Sequence, residues 1–99
     1  MYKHIDKNNQ HLQLLSGIAD PVRMQIVLYF AGKGPECVGD IAKHFTISRQ
    51  TVSHHLQIME RAGVLSVHKK GREIFYKFEA PYVIEQLDTI LNVLKTNYK

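Results

Sequence analysis

Gln50, Ser53, His54, Gln57 and Arg61 recur at helical spacing, so at 100° per residue they share one side of a helix. All are hydrogen-bonding types and none is acidic. Gln can hold adenine through both amide atoms, and Ser or His reaches phosphates or base edges. Val52, Leu56 and Met59 fall on the opposite side, as a stripe for packing. Ser48 and Arg49 stand at the helix start, where backbone N–H groups and the helix dipole favour a phosphate. A solvated polar face is the competing reading, since every surface helix has one. Lys69, Lys70 and Arg72 cluster around Gly71 a few residues later. Alone they would be a solvated turn; beside such a helix they suit a projection gripping the phosphate backbone or the minor groove.

The surrounding chain supplies elements to place these residues. The expected order is α-α-α-α-β-β-α, mainly helical with a small hairpin, in a single domain over 1–99. A first helix is expected from about His4 to Ser16, with Leu12, Leu15 and Ala19 at helical spacing and Gly17 and the Asp20-Pro21 pair separating it from the next. Asp20 caps a second helix, and Pro21 suits its first position, where a missing N–H costs nothing. That helix runs to about Ala31, with Val22, Ile26, Tyr29 and Phe30 as its apolar stripe. Gly32-Lys33-Gly34-Pro35 forms a loop. A short third helix spans about Val38 to Phe45. Thr46-Ile47-Ser48 then turns tightly, and Ser48 caps the fourth, Arg49 to about Ala62, ended by Gly63 in the left-handed conformation. Two short helices joined this closely read as a helix-turn-helix whose second helix enters the major groove. The period then changes to two, with Leu65 and Val67 and later Ile74, Tyr76 and Phe78 facing one way across a hairpin tipped by Lys69-Lys70-Gly71-Arg72. Pro81 opens a last helix, about 81–97, with Val83, Leu87, Ile90, Leu91 and Leu94 on one stripe.

The 99 residues allow one domain, and the chain is near the lower limit for a self-sufficient core. Its hydrophobic fraction of 44% and charged fraction of 22% are those of a globular protein. No apolar run approaches the ~18 residues of a membrane span, and the N-terminus lacks the apolar core of a signal peptide. A cytoplasmic location is expected. Cys37 is the one cysteine, which excludes an intrachain disulfide, a two-thiol switch and a multi-cysteine zinc finger. The net charge of +4 is uneven: between Gly39 and Phe78, Lys43, Arg49, Arg61, Lys69, Lys70, Arg72 and Lys77 face only Asp40, Glu60 and Glu73, which accounts for all of it. No P-loop, carboxylate pair or nucleophile–base motif is present, so no enzyme is expected.

Read together, Ala19-Asp20-Pro21-Val22-Arg23-Met24-Gln25-Ile26, Glu36-Cys37-Val38-Gly39-Asp40-Ile41-Ala42, Ser48-Arg49-Gln50-Thr51-Val52-Ser53-His54-His55-Leu56, Gly63-Val64-Leu65 and Lys70-Gly71-Arg72 through Tyr76 resemble the ArsR/SmtB family of bacterial winged-helix repressors. The match covers about two-thirds of the chain, with the elements in family order. The resemblance implies a homodimer that binds a palindromic operator on double-stranded DNA, represses transcription and is commonly released by an effector. It places the dimer interface on the terminal helices, about 4–16 and 81–97, where Leu12, Leu15, Val83, Leu87, Ile90, Leu91 and Leu94 would supply the contacts. A small winged core cannot bury both apolar helices, which argues independently for a dimer. A different class of function is a winged-helix module that binds protein through these helices; it would carry an apolar or acidic fourth helix.

The resemblance also raises metal sensing. At the family's C-terminal-helix metal site this chain has Ala80, Tyr82, Val93 and Thr96, which are poor ligands, so that site reads as lost. At the third-helix site Cys37 is present but Gly39 replaces the second cysteine of the arsenic, cadmium and lead sensors. The zinc-sensing branch has Cys and Asp at the spacing of Cys37 and Asp40, with N-terminal ligands from the other subunit. His4, Asp6 and His11 would fill that part. The competing reading makes Cys37 a small core residue and the histidines solvated, with no cofactor and an unknown effector. A single-thiol response at Cys37 also stays open. Of the paired histidines, His54 is expected on the DNA face, with a pH effect on affinity, and His55 nearer the core.

Overall fold

In the computed structural model, residues 9–98 are described. The elements are α1 (Gln10–Ile18), α2 (Pro21–Phe30), β1 (Glu36–Cys37), α3 (Val38–Ala42), α4 (Arg49–Arg61), β2 (Leu65–Lys70), β3 (Glu73–Phe78) and α5 (Ala80–Asn97). Each long helix except α5 opens on a side-chain cap. Asn9 accepts from the N–H groups of His11 and Leu12, Asp20 from Val22 and Arg23, and Ser48 from Thr51. Residues 4–8 of the expected first helix lie outside the described residues.

Gly17 does not separate α1 from α2, as its type suggested; it lies buried inside α1. A Cβ built there would stand 2.5 Å from the Ala62 Cβ, so α1 and α4 cross where only glycine permits contact. The turn comes after Ile18. At the end of α4, Gly63 adopts φ +83°, and the N–H of Val64 bonds the Met59 carbonyl at 3.0 Å, closing a Schellman cap.

The sheet has three antiparallel strands in the order β1-β3-β2, where sequence reading found two. Glu36 and Cys37 pair with Tyr76 and Phe75. Two residues have no period to detect, and the strand exists because the edge of β3 is there to pair with. The hairpin turn is Gly71–Arg72, with Gly71 at φ +64° and no positive φ at Arg72, as a type II′ turn requires. Lys69 and Lys70 are therefore the last residues of β2 and flank the turn. Val67 and Ile74, expected to face inward, are exposed, because the hairpin extends past the core and only its base at Leu65, Tyr76 and Phe78 is covered.

Leu14, Ile26, Phe30, Ile41, Val52, Leu56, Met59 and Val64 form the core, and Phe30 stacks on Phe78 at 6.4 Å. Val83 belongs to this core, only 3% exposed, which corrects its assignment to a dimer surface. The stripe expected on α5 is thus divided. Val83 and Gln86 face inward, where the Gln86 Nε2 donates to the Gln10 Oε1 at 3.4 Å. Ile90 is half-buried, while Ile84, Leu87, Leu91 and Leu94 lie exposed at alternating intervals of three and four, joined on α1 by Leu12 and Leu15.

Candidate nucleic-acid interface

The N-terminal half of α4, the start of α3 and the hairpin tip enclose an open groove of about 750 Å³. Arg49, Gln50, Ser53, His54 and Gln57 line its α4 wall, Lys43, Asp40 and Cys37 its α3 side, and Arg72, Glu73 and Ile74 the wing. Residues far apart in sequence, Gln57 and Arg72 among them, thus share one concave surface. α4 is held there by Val52, Leu56 and Met59, each fully buried on its far side. That leaves Gln50, His54 and Gln57 exposed and Ser53 half-buried.

Ser48, expected to touch DNA, is occupied by capping: its Oγ accepts from the Thr51 N–H at 3.1 Å and meets the Thr51 Oγ1 at 2.9 Å. The first N–H groups of a helix have no intrahelical acceptor, so those of Arg49 and Gln50 are free to meet a phosphate. The Arg49 guanidinium lies over Gly39, at ordinary contact distance from where a Cβ would stand. Lys69 and Lys70 are exposed beside the turn rather than in the groove wall, suited to phosphates along its rim. Lys43 was not singled out from the sequence, where α3 seemed to end beyond it; here it caps α3 and pairs with Asp40 at 3.4 Å. Arg61, expected on the same face, sits at the opposite end of α4 and donates to the Gln57 carbonyl at 3.4 Å.

The groove is mixed in charge, with Lys43, Arg49 and Arg72 against Asp40 and Glu73. Asp40 stays ionised and is paired locally. A hydrogen bond from the Cys37 thiol, then the Lys43 ammonium, holds its carboxyl below the usual range. Cys37 is not a core residue: it is half-exposed, ends β1, occupies the N-cap position of α3 and lines the groove.

Cys37 and Asp40 do come together, as a shared metal site would need. Among the described residues, however, no group of three or more His, Cys, Asp or Glu side chains stands within reach of one ion. Two ligands do not make a closed tetrahedral zinc site. His4 and Asp6 lie outside the described residues, and His11 sits on α1, its Nδ1 buried without a partner. No described helix is long and apolar enough to cross a membrane.

Residues 20–67 match the model of the bacterial regulatory protein arsR family. The transcriptional repressor SdpR of Bacillus subtilis is 37% identical over 82% of this chain and 89% of its own length. The chain belongs to the arsR family. It is a DNA-binding transcriptional regulator with a winged helix-turn-helix fold, and not an enzyme. Among solved structures, a possible transcriptional regulator for arsenical resistance superposes on this arsR-family chain with a TM-score of 0.71 at 29% identity, covering 83% of this chain and 82% of the other. The homodimeric winged helix-turn-helix DNA-binding domain of Mb0332 from Mycobacterium bovis gives 0.70 at 20% identity, covering 100% and 94%. In this frame α3 and α4 are the helix-turn-helix, α4 is its reading helix and β2–β3 is the wing.

Proposed function

We propose that this regulator is a homodimeric repressor that binds a palindromic operator. The observation that carries the reading is the groove itself: Arg49, Gln50, Ser53, His54 and Gln57 on α4 face Arg72 of the wing across one open surface. Base edges in the major groove would meet Gln50, His54 and Gln57; phosphates would meet Arg49, Lys69, Lys70 and Arg72. The assignment to repression is supported by likeness to a named transcriptional repressor.

Dimerisation is supported by the apolar surface left on α1 and α5, where Leu12, Leu15, Leu87, Leu91 and Leu94 are between 40% and 51% exposed. Such a surface on a small domain marks an association face. The extents of 48 × 27 × 26 Å describe an elongated subunit. A dimer would place two α4 helices one DNA turn, ~34 Å, apart. This reading has no metal at the C-terminal helix, where Ala80, Tyr82, Val93 and Thr96 replace ligands.

Selection of bound duplexes from a random pool tests it, repeated with zinc, chelator, oxidant and reductant. Two inverted half-sites centred about one turn apart are expected. Recovery of unrelated sequences with no shared half-site would overturn the proposal. A zinc-dependent change in the selected affinity would instead support the Cys37/Asp40 site.

A further inference from the structure

His54 and His55 are neighbours on α4 with opposite surroundings. His54 is exposed in the groove, while the His55 side chain is only 15% exposed and lies against the α1–α2 junction. The Arg23 Nη1 donates to the His55 Nδ1 at 3.1 Å, and its Nη2 reaches the Ser16 carbonyl at 3.4 Å. Arg23 therefore joins the last turn of α1 and the first turns of α2 to the middle of α4. The arrangement is anchored from beneath, because Asp20 caps α2 through the N–H groups of Val22 and Arg23. The Arg23 Nε is buried with no partner, so burying this guanidinium is compensated chiefly by its two Nη contacts.

A hydrogen bond in this place does something apolar packing does not. Val52, Leu56 and Met59 hold α4 against the core by close packing, and a polar bond adds a directional constraint to it. The Arg23–His55 bond is directional and lies about 100° around the helix from His54. It fixes the angle at which Gln50, His54 and Gln57 face the groove. It requires His55 neutral at Nδ1, because protonation puts an N–H where the acceptor stood and a second cation beside the guanidinium. Among the described residues, the charged groups recorded against the His55 ring are Arg23 and Asp20 of α2, the latter with its Oδ2 3.9 Å from Nδ1. α1 contributes only the Ser16 carbonyl, to Arg23, and on α4 itself the His54 ring lies 6.3 Å away.

We infer that Arg23 and His55 are positioning residues that set the rotation of the reading helix, through a bond that needs an unprotonated Nδ1 on His55. The inference rests on the proposed DNA reading. The experiment compares the wild-type chain with His55→Gln, which keeps a neutral acceptor, and with Arg23→Gln. Affinity for the selected operator and for a random duplex is measured from about pH 8 to about pH 5.5, the range over which imidazoles ordinarily charge. Wild-type operator affinity should fall about tenfold relative to His55→Gln across that range, the size of one lost charged hydrogen bond, with random-duplex affinity unaffected by the substitution. Arg23→Gln should be weak for the operator at every pH. Imidazole nitrogen shifts in the wild type should show the Nε2–H tautomer at high pH, a readout that holds whether or not the variants fold well. Parallel pH curves for wild type and His55→Gln, or an Nδ1–H tautomer, would overturn the inference. No selected operator at any pH would overturn the DNA reading and this inference with it.

Discussion

Gln50 and His54 are exposed on the groove wall, so replacing either by Ala leaves the core untouched. Each substitution should weaken operator affinity by ~1–3 kcal/mol, with the unfolding midpoint nearly unchanged. Equal affinity in both variants, measured by equilibrium binding, would remove α4 as the reader. Tyr29 offers a residue-level test of the scaffold. Its hydroxyl donates to Glu36, and Lys33 lies 4.5 Å from the centre of its ring. Burial, then the bond to Glu36, pushes its phenol up to about 12. A phenol favoured neutral in the fold adds stability below the ordinary tyrosine value, and that stability is lost as pH rises from about 10 to about 12. Burial raises the Tyr76 phenol as well, so absorbance titration should find late-ionising tyrosines, and Tyr29→Phe should remove one of them. Most residue types in the site were legible from the sequence, because hydrogen-bonding side chains opposite an apolar stripe define a face. One role was not: Lys43 lines the groove because α3 lies beside α4 and the wing, which spacing along the chain does not show.

At the scale of elements, the wing and the α1–α4 crossing make separate claims. Lys70→Ala and Arg72→Ala should weaken binding to operator and random duplex alike. Each should lower the slope of log affinity against log salt by about 0.9, since each phosphate contact releases condensed counterions. An unchanged slope would take the wing out of the interface. Gly17→Ala should destabilise the fold by about 1–3 kcal/mol in chemical denaturation, although alanine is the better helix former, because its methyl would stand where the Ala62 methyl already lies. A gain in stability would show that α1 is free to move away from α4. Gly17 looked like a helix break because sequence spacing carries no information on how closely another helix passes. Strand β1 was hidden for a related reason: two residues become a strand only when β3 is alongside to accept them.

For the whole molecule the decisive surface is the seam of Ile84, Leu87, Leu91 and Leu94 on α5, continued by Leu12 and Leu15. Spacing of three and four residues is what two helices need to interlock. Leu91→Glu should yield a folded monomer by light scattering, with operator affinity reduced about a hundredfold because the two half-sites no longer act together. A dimer that survives this change would place the interface elsewhere.

Some properties of this protein were fixed by local chemistry and needed no partner to be seen. The caps at Asp20 and Ser48, the left-handed glycine at position 63, the change from helical to strand period after it, and the basic residues concentrated between Gly39 and Phe78 each depend on side chains a few residues apart. Packing decided the rest. It drew Val83 into the core while leaving Leu87 and Leu91 outside, brought Arg72 opposite Gln57, and set Arg23 against His55. Periodicity gives the face of a helix on which a residue lies. What that face meets depends on elements distant in sequence, and only the tertiary structure supplies them.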